Sequence, residues 1–143
     1  MKSRPEPVIG KTYTYDEVGH FYDHDASELD WVLYKGRYIV ALCLRSDLNR
    51  VFTDTAFQVY VGLDSPSKAW GDTLANDTAR VPIFMNAMTD GKYTYIGIYE
   101  VSGDTTSESD CREAERIRPH HPGVSRIVGL RQIPTRSFPP WPI

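Results

Sequence analysis

The sequence predicts a mainly β fold of the α+β class, a curved sheet or partly open β-barrel of roughly five to six strands with two or three short helices. Three observations carry this. Arg80 to Val101 has the pattern of a β-hairpin. Tyr38–Leu44 and Ala56–Gly62 are apolar or alternating runs of strand length. No long crossover helix separates the strand patterns, which argues against a parallel α/β sheet.

The hairpin is the organising stretch. Val81 to Met85 is apolar, with Pro82 near its start, where a strand tolerates proline. Asp90-Gly91 lies in the turn region, because glycine accepts φ > 0. Tyr93, Tyr95, Gly97, Tyr99 and Val101 then alternate with Thr94, Ile96, Ile98 and Glu100. Aromatic and β-branched residues suit such a half-buried pleated surface. Gly97 interrupts the run and marks a bulge or the close approach of another group.

In chain order, residues 1–7 are proline-bracketed and read as a flexible arm. Val8 to Tyr13 reads as the opening strand. His20 to Asp25 reads as a polar loop, with Asp25 or Ser27 capping a short helical turn. Gly36-Arg37 is a turn. Tyr38 to Leu44 has the apolar continuity of a strand buried on both faces and is the candidate central strand. Arg45 to Arg50 reads as a polar loop and Asp64 to Ser67 as a turn. A short helix is expected over Ala69–Asp77. Ser102 to Ser109 reads as a loop. Asp110 is placed to cap a helix that ends before Pro119, since a residue preceding proline avoids the α region. Ser125 to Ile133 reads as the last strand. Residues 8–134 thus form one domain, and residues 135–143 a Pro- and Trp-rich tail.

The chain has 143 residues, enough to bury a core. No apolar run approaches the ~20 residues of a membrane helix. The N-terminus lacks an apolar signal core, so a nuclear or cytoplasmic protein is expected, neither secreted nor membrane-bound. Cys43 and Cys111 lack metal-site spacing and suit a reducing compartment. Cys43 lies in an apolar run and is expected to be buried; Cys111 lies among charges and is expected to be exposed. The net charge is −3, but it is unevenly laid out. Asp16, Glu17, Asp23, Asp25, Glu28 and Asp30 are unrelieved by any Lys or Arg, whereas arginines dominate from Arg112 onward. Such a layout can place one basic face on an acidic protein.

The order of several local segments resembles the SET- and RING-associated domain, the SRA or YDG domain, within the wider PUA- and EVE-like base readers. Val8-Ile9-Gly10-Lys11 resembles its first segment. Gly36 to Val40 resembles the strand leading to its base pocket, and Ser46-Asp47 its acidic pocket loop. Tyr60-Val61-Gly62 resembles its Tyr-Thr-Gly. Val81 to Phe84 with Tyr95 to Val101 resembles its closing hairpin, and Arg126 to Pro134 its last strand. Ile96 stands where the family's Tyr-Asp-Gly has its acid, and Leu63-Asp64 replaces a glycine-rich continuation.

The resemblance implies a non-catalytic module that binds DNA carrying a modified base of the 5-methylcytosine type, with that base flipped into an aromatic pocket. Flipping must repay a few kcal/mol of lost stacking and pairing, usually on aromatic rings. Tyr60 is the first candidate platform and Trp70 the second. Asp47, beside Ser46, is the candidate acceptor for a cytosine amino group. Arg45, Arg50, Arg126 and Arg131 are candidate phosphate contacts. No metal or cofactor is implied. Two other classes stay open. One is a small hydrolase or nuclease using the His20 to Asp25 cluster, although no nucleophile elbow, P-loop or zinc motif accompanies it. The other is a protein-interaction module that presents the tail to a partner's aromatic groove.

Overall fold

The computed structural model describes residues 6–22, 31–36, 38–45, 49–53, 56–63, 65–86, 92–117 and 123–133. The elements run β1 (Thr12–Thr14), α1 (Tyr15–Phe21), β2 (Val32–Lys35), β3 (Tyr38–Arg45), β4 (Arg50–Thr53), β5 (Ala56–Val61), α2 (Ser65–Asp77), β6 (Arg80–Asn86), β7 (Lys92–Thr105), α3 (Glu108–Ile117) and β8 (Arg126–Gln132). The strands form one sheet in the order β2-β3-β6-β7-β8-β5-β4, with β1 added to β7. Among the described residues only β3 and β6 pair in parallel; the other pairings are antiparallel. Among the described residues β2 and β4 pair with one neighbour each, so the sheet is open.

The predicted class holds, with more strands than expected. The central strand is β7, not β3. At 14 residues it is long enough to take β6 on one edge and both β1 and β8 on the other. β3 lies one place in from the edge, and its apolar continuity reflects cover on both faces. Leu42 and Leu44 enter the main core while Ala41 and Cys43 enter a second, aromatic one.

Gly97 does what an interior glycine in a strand suggests. Its φ is +110°, and the β6–β7 register slips between Ile83 and Phe84, leaving Ile96 as the extra residue of a bulge. The slip exchanges the faces. Before it, Tyr95 packs into the aromatic core and Tyr93 against it; after it, Tyr99 and Val101 point to the main core. The odd-numbered alternation in the sequence is therefore continuous, but the face is not. On the open edge beside Gly97, the Gln132 carboxamide donates to the Ile96 carbonyl at 3.0 Å.

Four further differences have identifiable causes. α1 occupies a stretch with no helix assigned from sequence; Thr14 accepts from the Glu17 N–H and Glu17 accepts from the Thr14 N–H, a complete capping box. β7 runs on to Thr105 through polar residues because β8 pairs with them. α2 begins at Ser65, earlier than expected, since Pro66 in a first turn loses no hydrogen bond. α3 is capped by the Ser107 hydroxyl, which accepts from the Asp110 N–H, so Asp110 sits in the first turn instead of capping.

α2 covers one face of the sheet, where Leu74 joins Phe57, Val59, Val61, Val81, Ile83, Tyr99, Val128 and Leu130. The opposite face is covered in two places. α1 brings Tyr15 and Val18 onto Tyr13, Leu33, Phe84 and Tyr95. α3 brings Cys111 and Ala114 onto Tyr60 and Ile127. Cys111 is thus buried, contrary to its charged neighbourhood: it and Ala114 are one turn apart and share the apolar stripe. Burial pushes both cysteine thiols above their ordinary range. No described helix is long and apolar enough to cross a membrane.

Candidate functional site

Tyr60 follows Gln58 by two along β5, so both point away from the α2 face. On that side the register sets Tyr60 opposite Ile127 of β8, and Ile127 opposite Thr105 of β7. α3 closes over this row. Together Gln58, Tyr60, Thr105, Asp110, Glu113, Ala114 and Ile127 line a cavity of about 260 Å³. Water occupies about 30 Å³ in the liquid, and drug-sized ligands use clefts of about 300 Å³ or more. The cavity therefore suits one small ring system.

A buried asparagine organises the approach to it. Asn49 Oδ1 accepts from the Tyr60 N–H at 2.9 Å, and Asn49 Nδ2 donates to the Arg45 carbonyl at 2.8 Å. Arg45 and Asn49 are thereby joined to each other, and Asn49 is tied to the backbone of Tyr60. Asp47 and Ser46 fall between them in the chain but lie outside the described residues. Asn49 was not singled out in the sequence, where an asparagine in a polar loop reads as ordinary turn chemistry. Gln58 could have been found from its i, i+2 relation to Tyr60.

Trp70 is elsewhere. It sits on α2, packs against the main core and stacks on Tyr34 with ring centroids 4.7 Å apart. The sheet lies between it and Tyr60, so the two rings do not line one pocket. The candidate arginines are likewise dispersed. Arg126, pointing to the α2 side, pairs with Asp104 at 2.5 Å and Asp72 at 3.2 Å. Arg131, on the Tyr60 side, pairs with Glu100 at 2.7 Å, and that pair sits in a cross-strand row running Arg80, Glu100, Arg131, Ala56. Arg50 stands opposite Gln58 in the register. Arg45 is exposed at the end of β3. Burial pushes the Tyr93 phenol up, with Cys43 adding to the shift, while a hydrogen bond with Asn86 and the charge of Arg45 act the other way. Arg112 and Arg116 on α3 pair with Glu115 and Glu113.

The other clusters give less. His20 ends α1 on the exposed side; His24, Asp23 and Asp25 lie outside the described residues, as do Asp90-Gly91 and the 135–143 tail. Among the described residues no three metal-binding side chains converge. The aromatic cluster under α1 is close-packed: Phe84 meets Tyr13, Tyr22 and Tyr95 at centroid distances of 6.2, 6.1 and 4.9 Å. Burial, and secondarily neighbouring acidic groups, push the Tyr22 and Tyr95 phenols up. This keeps them neutral, as core residues.

Comparison with solved structures finds the same fold in the SRA domain of SUVH5 in complex with hemimethylated CG DNA, at TM-score 0.59 and 17% identity over 97% of each chain. KRYPTONITE in complex with mCHG DNA and SAH is similar at TM-score 0.59 and 11% identity, over 94% of this chain and 34% of that one. The modification-dependent TagI restriction endonuclease is similar at TM-score 0.58 and 15% identity, over 92% of this chain and 51% of that one. No family model and no curated protein matches the sequence. The expected SRA-like architecture is thus present, as a fold shared at low sequence identity.

Proposed function

We propose, from the SRA fold, that this chain binds DNA carrying a modified base of the 5-methylcytosine type and takes that base, flipped from the duplex, into the cavity beside Tyr60. The observation that carries the reading is the cavity itself. A tyrosine in the position that resembles the family's pocket residue lines a space of about 260 Å³, and its backbone N–H is held by Asn49, two residues after Asp47 in the chain. Tyr60 supplies the aromatic wall, and Asp47 with Ser46 the polar edge. Trp70, across the sheet, would act through a second contact or through the core. Arg131, Arg45 and Arg50 are the candidate phosphate holders near this side. Arg126 could contribute only by giving up its two aspartates.

The test is a fluorescence polarisation titration with short duplexes carrying cytosine, 5-methylcytosine, 5-hydroxymethylcytosine or N6-methyladenine. A preference for one modified duplex is expected; equal affinity for all four would sink the reading. Tyr60 is only 5% exposed and supports α3, so Tyr60→Ala would also open a core cavity. Tyr60→Leu keeps apolar volume and removes the π-face. It is expected to weaken modified-duplex binding about 10-fold or more, in line with ~1–3 kcal/mol per base–aromatic stack. Unchanged affinity would remove Tyr60 from the pocket.

Salt gives an independent check. With about two to four phosphates held, affinity is expected to fall ~10-fold or more between about 50 and 200 mM salt. A flat response would mean that DNA phosphates are not part of the ligand.

A further inference from the structure

The cavity beside Tyr60 has one chemical asymmetry that the loop residues do not explain. Its apolar surface comes from Tyr60, Ala114 and Ile127, and its polar surface from Gln58, Thr105, Asp110 and Glu113. The two carboxylates stand on α3 at i and i+3, on one face of the helix. Neither is a donor. Asp110 Oδ2 already accepts from the Thr105 hydroxyl at 3.2 Å, which fixes the carboxylate and leaves further lone pairs. Glu113 is paired with Arg116. Thr105, whose hydroxyl can do both, is already committed: it accepts from the Ser107 N–H and donates to Asp110. Gln58 and the Tyr60 hydroxyl are the other lining groups able both to donate and to accept. Asp110 and Glu113 thus make the α3 side of the cavity rich in acceptors, beside the apolar surface of Tyr60, Ala114 and Ile127.

Such a cavity discriminates among rings. An anionic group would face two carboxylates. Thymine presents two carbonyl acceptors and a single N–H, a poor match to an acceptor-rich wall. A cytosine-type base presents an exocyclic amino donor beside ring acceptors, which a carboxylate and a carboxamide can satisfy together. We infer that Asp110 of α3, with Gln58, determines specificity by accepting from the exocyclic amino group of the flipped base, so that the site takes amino-bearing bases and rejects thymine. This rests on the base-flipping reading above and deepens it. It adds a reader on α3, which the order of segments in the chain did not mark.

The experiment compares 5-methylcytosine with thymine, each opposite guanine in the same duplex. The two bases share the methyl group and differ at the amino-versus-carbonyl position. A mismatched thymine flips more easily, so intrinsic flipping favours the wrong base and a preference for 5-methylcytosine must come from the pocket. The wild-type chain is expected to prefer 5-methylcytosine by about 10-fold or more, as one good base-edge contact allows. Asp110→Asn keeps an acceptor for Thr105 and is expected to fold normally. It should shrink that preference about 10-fold, with an unchanged salt slope. If Asp110 acted only as a negative charge near DNA, both affinities would rise together and the ratio would stay, which would overturn the assignment.

A folded Asp110→Asn variant with the full wild-type preference would overturn it as well. Loss of the preference in Asp47→Asn at the same time would locate the reader in the loop and leave the base-flipping reading intact. A wild-type chain that does not distinguish 5-methylcytosine from cytosine or thymine would overturn both.

Discussion

Gly97→Val is expected to destabilise the fold by about 3–5 kcal/mol, from a strained left-handed backbone worth ~1–3 kcal/mol and a lost, then unsatisfied, hydrogen bond worth about as much. The φ of +110° is one that a β-branched residue rarely adopts. A Cβ at this position would lie 2.8 Å from Gln132 Nε2. Gln132 can swing away, but it then releases the Ile96 carbonyl that its carboxamide caps at the gap between β1 and β8. At this chain length each kcal/mol is worth ~2–4 °C, so the melting temperature should fall by about 10 °C or more. Gly103→Val in the same strand is the comparison. A Cβ there meets nothing within 4 Å, so a shift within about 0.5 kcal/mol is expected. Equal thermal shifts for the two variants would show that the bulge geometry is not what Gly97 provides.

Asn49→Ala should cost about 2–4 kcal/mol, because it leaves the buried Tyr60 N–H without its acceptor and frees the Arg45 carbonyl. Asn49 is 5% exposed, so water cannot replace the lost partner without entering the fold. The effect should reach function as well. One hydrogen bond joins Asn49 to Arg45, and the other ties Asn49 to the strand that carries Tyr60. On the base-reading proposal, in which Asp47 contributes the polar edge, modified-duplex affinity should drop along with stability. Chemical denaturation and the polarisation titration read the two effects separately. Wild-type stability in Asn49→Ala would mean that these bonds are exchanged for others at no cost. Wild-type affinity in a destabilised variant would separate the loop from the pocket.

Much of the sheet was legible because it rests on local pattern. The 80–101 hairpin, the apolar 38–44 run, β5 and β8 each declare themselves through strand-length apolar content and flanking turns. What was hidden depends on contacts across the chain. β7 is central because three other strands choose it, which its own sequence does not state. The polar stretch from Ser102 to Thr105 is strand because β8 lies beside it. α1 carried a readable signal in Thr14-Tyr15-Asp16-Glu17, but its seven residues are too short for a persistent apolar period. Tyr60, which its neighbours Val61 and Gly62 single out in the sequence, lines the cavity under α3. Trp70 could not be assigned a side, since the face on which a helix lands is a property of the whole sheet. Asn49 and Asp110 were hidden for opposite reasons: one is a polar residue that is buried, the other a charged residue on an otherwise ordinary solvated helix.

The ion pairs described above bear on how fast any ligand finds this protein. Along the chain, arginines crowd the C-terminal third. In the folded molecule Arg112, Arg116, Arg126 and Arg131 each meet a carboxylate, and Arg126 meets two. The linear segregation of charge is therefore cancelled locally, and on a chain of net charge −3 it leaves little far-reaching attraction for a polyanion. Encounter with DNA should then proceed at the modest rates of unsteered association, about 10⁵–10⁶ M⁻¹s⁻¹, with selectivity residing in how long a fitted base stays. A chain built this way spends little time on unmodified DNA. On the base-reading proposal, that would be an advantage, because the mark is rare among identical phosphates.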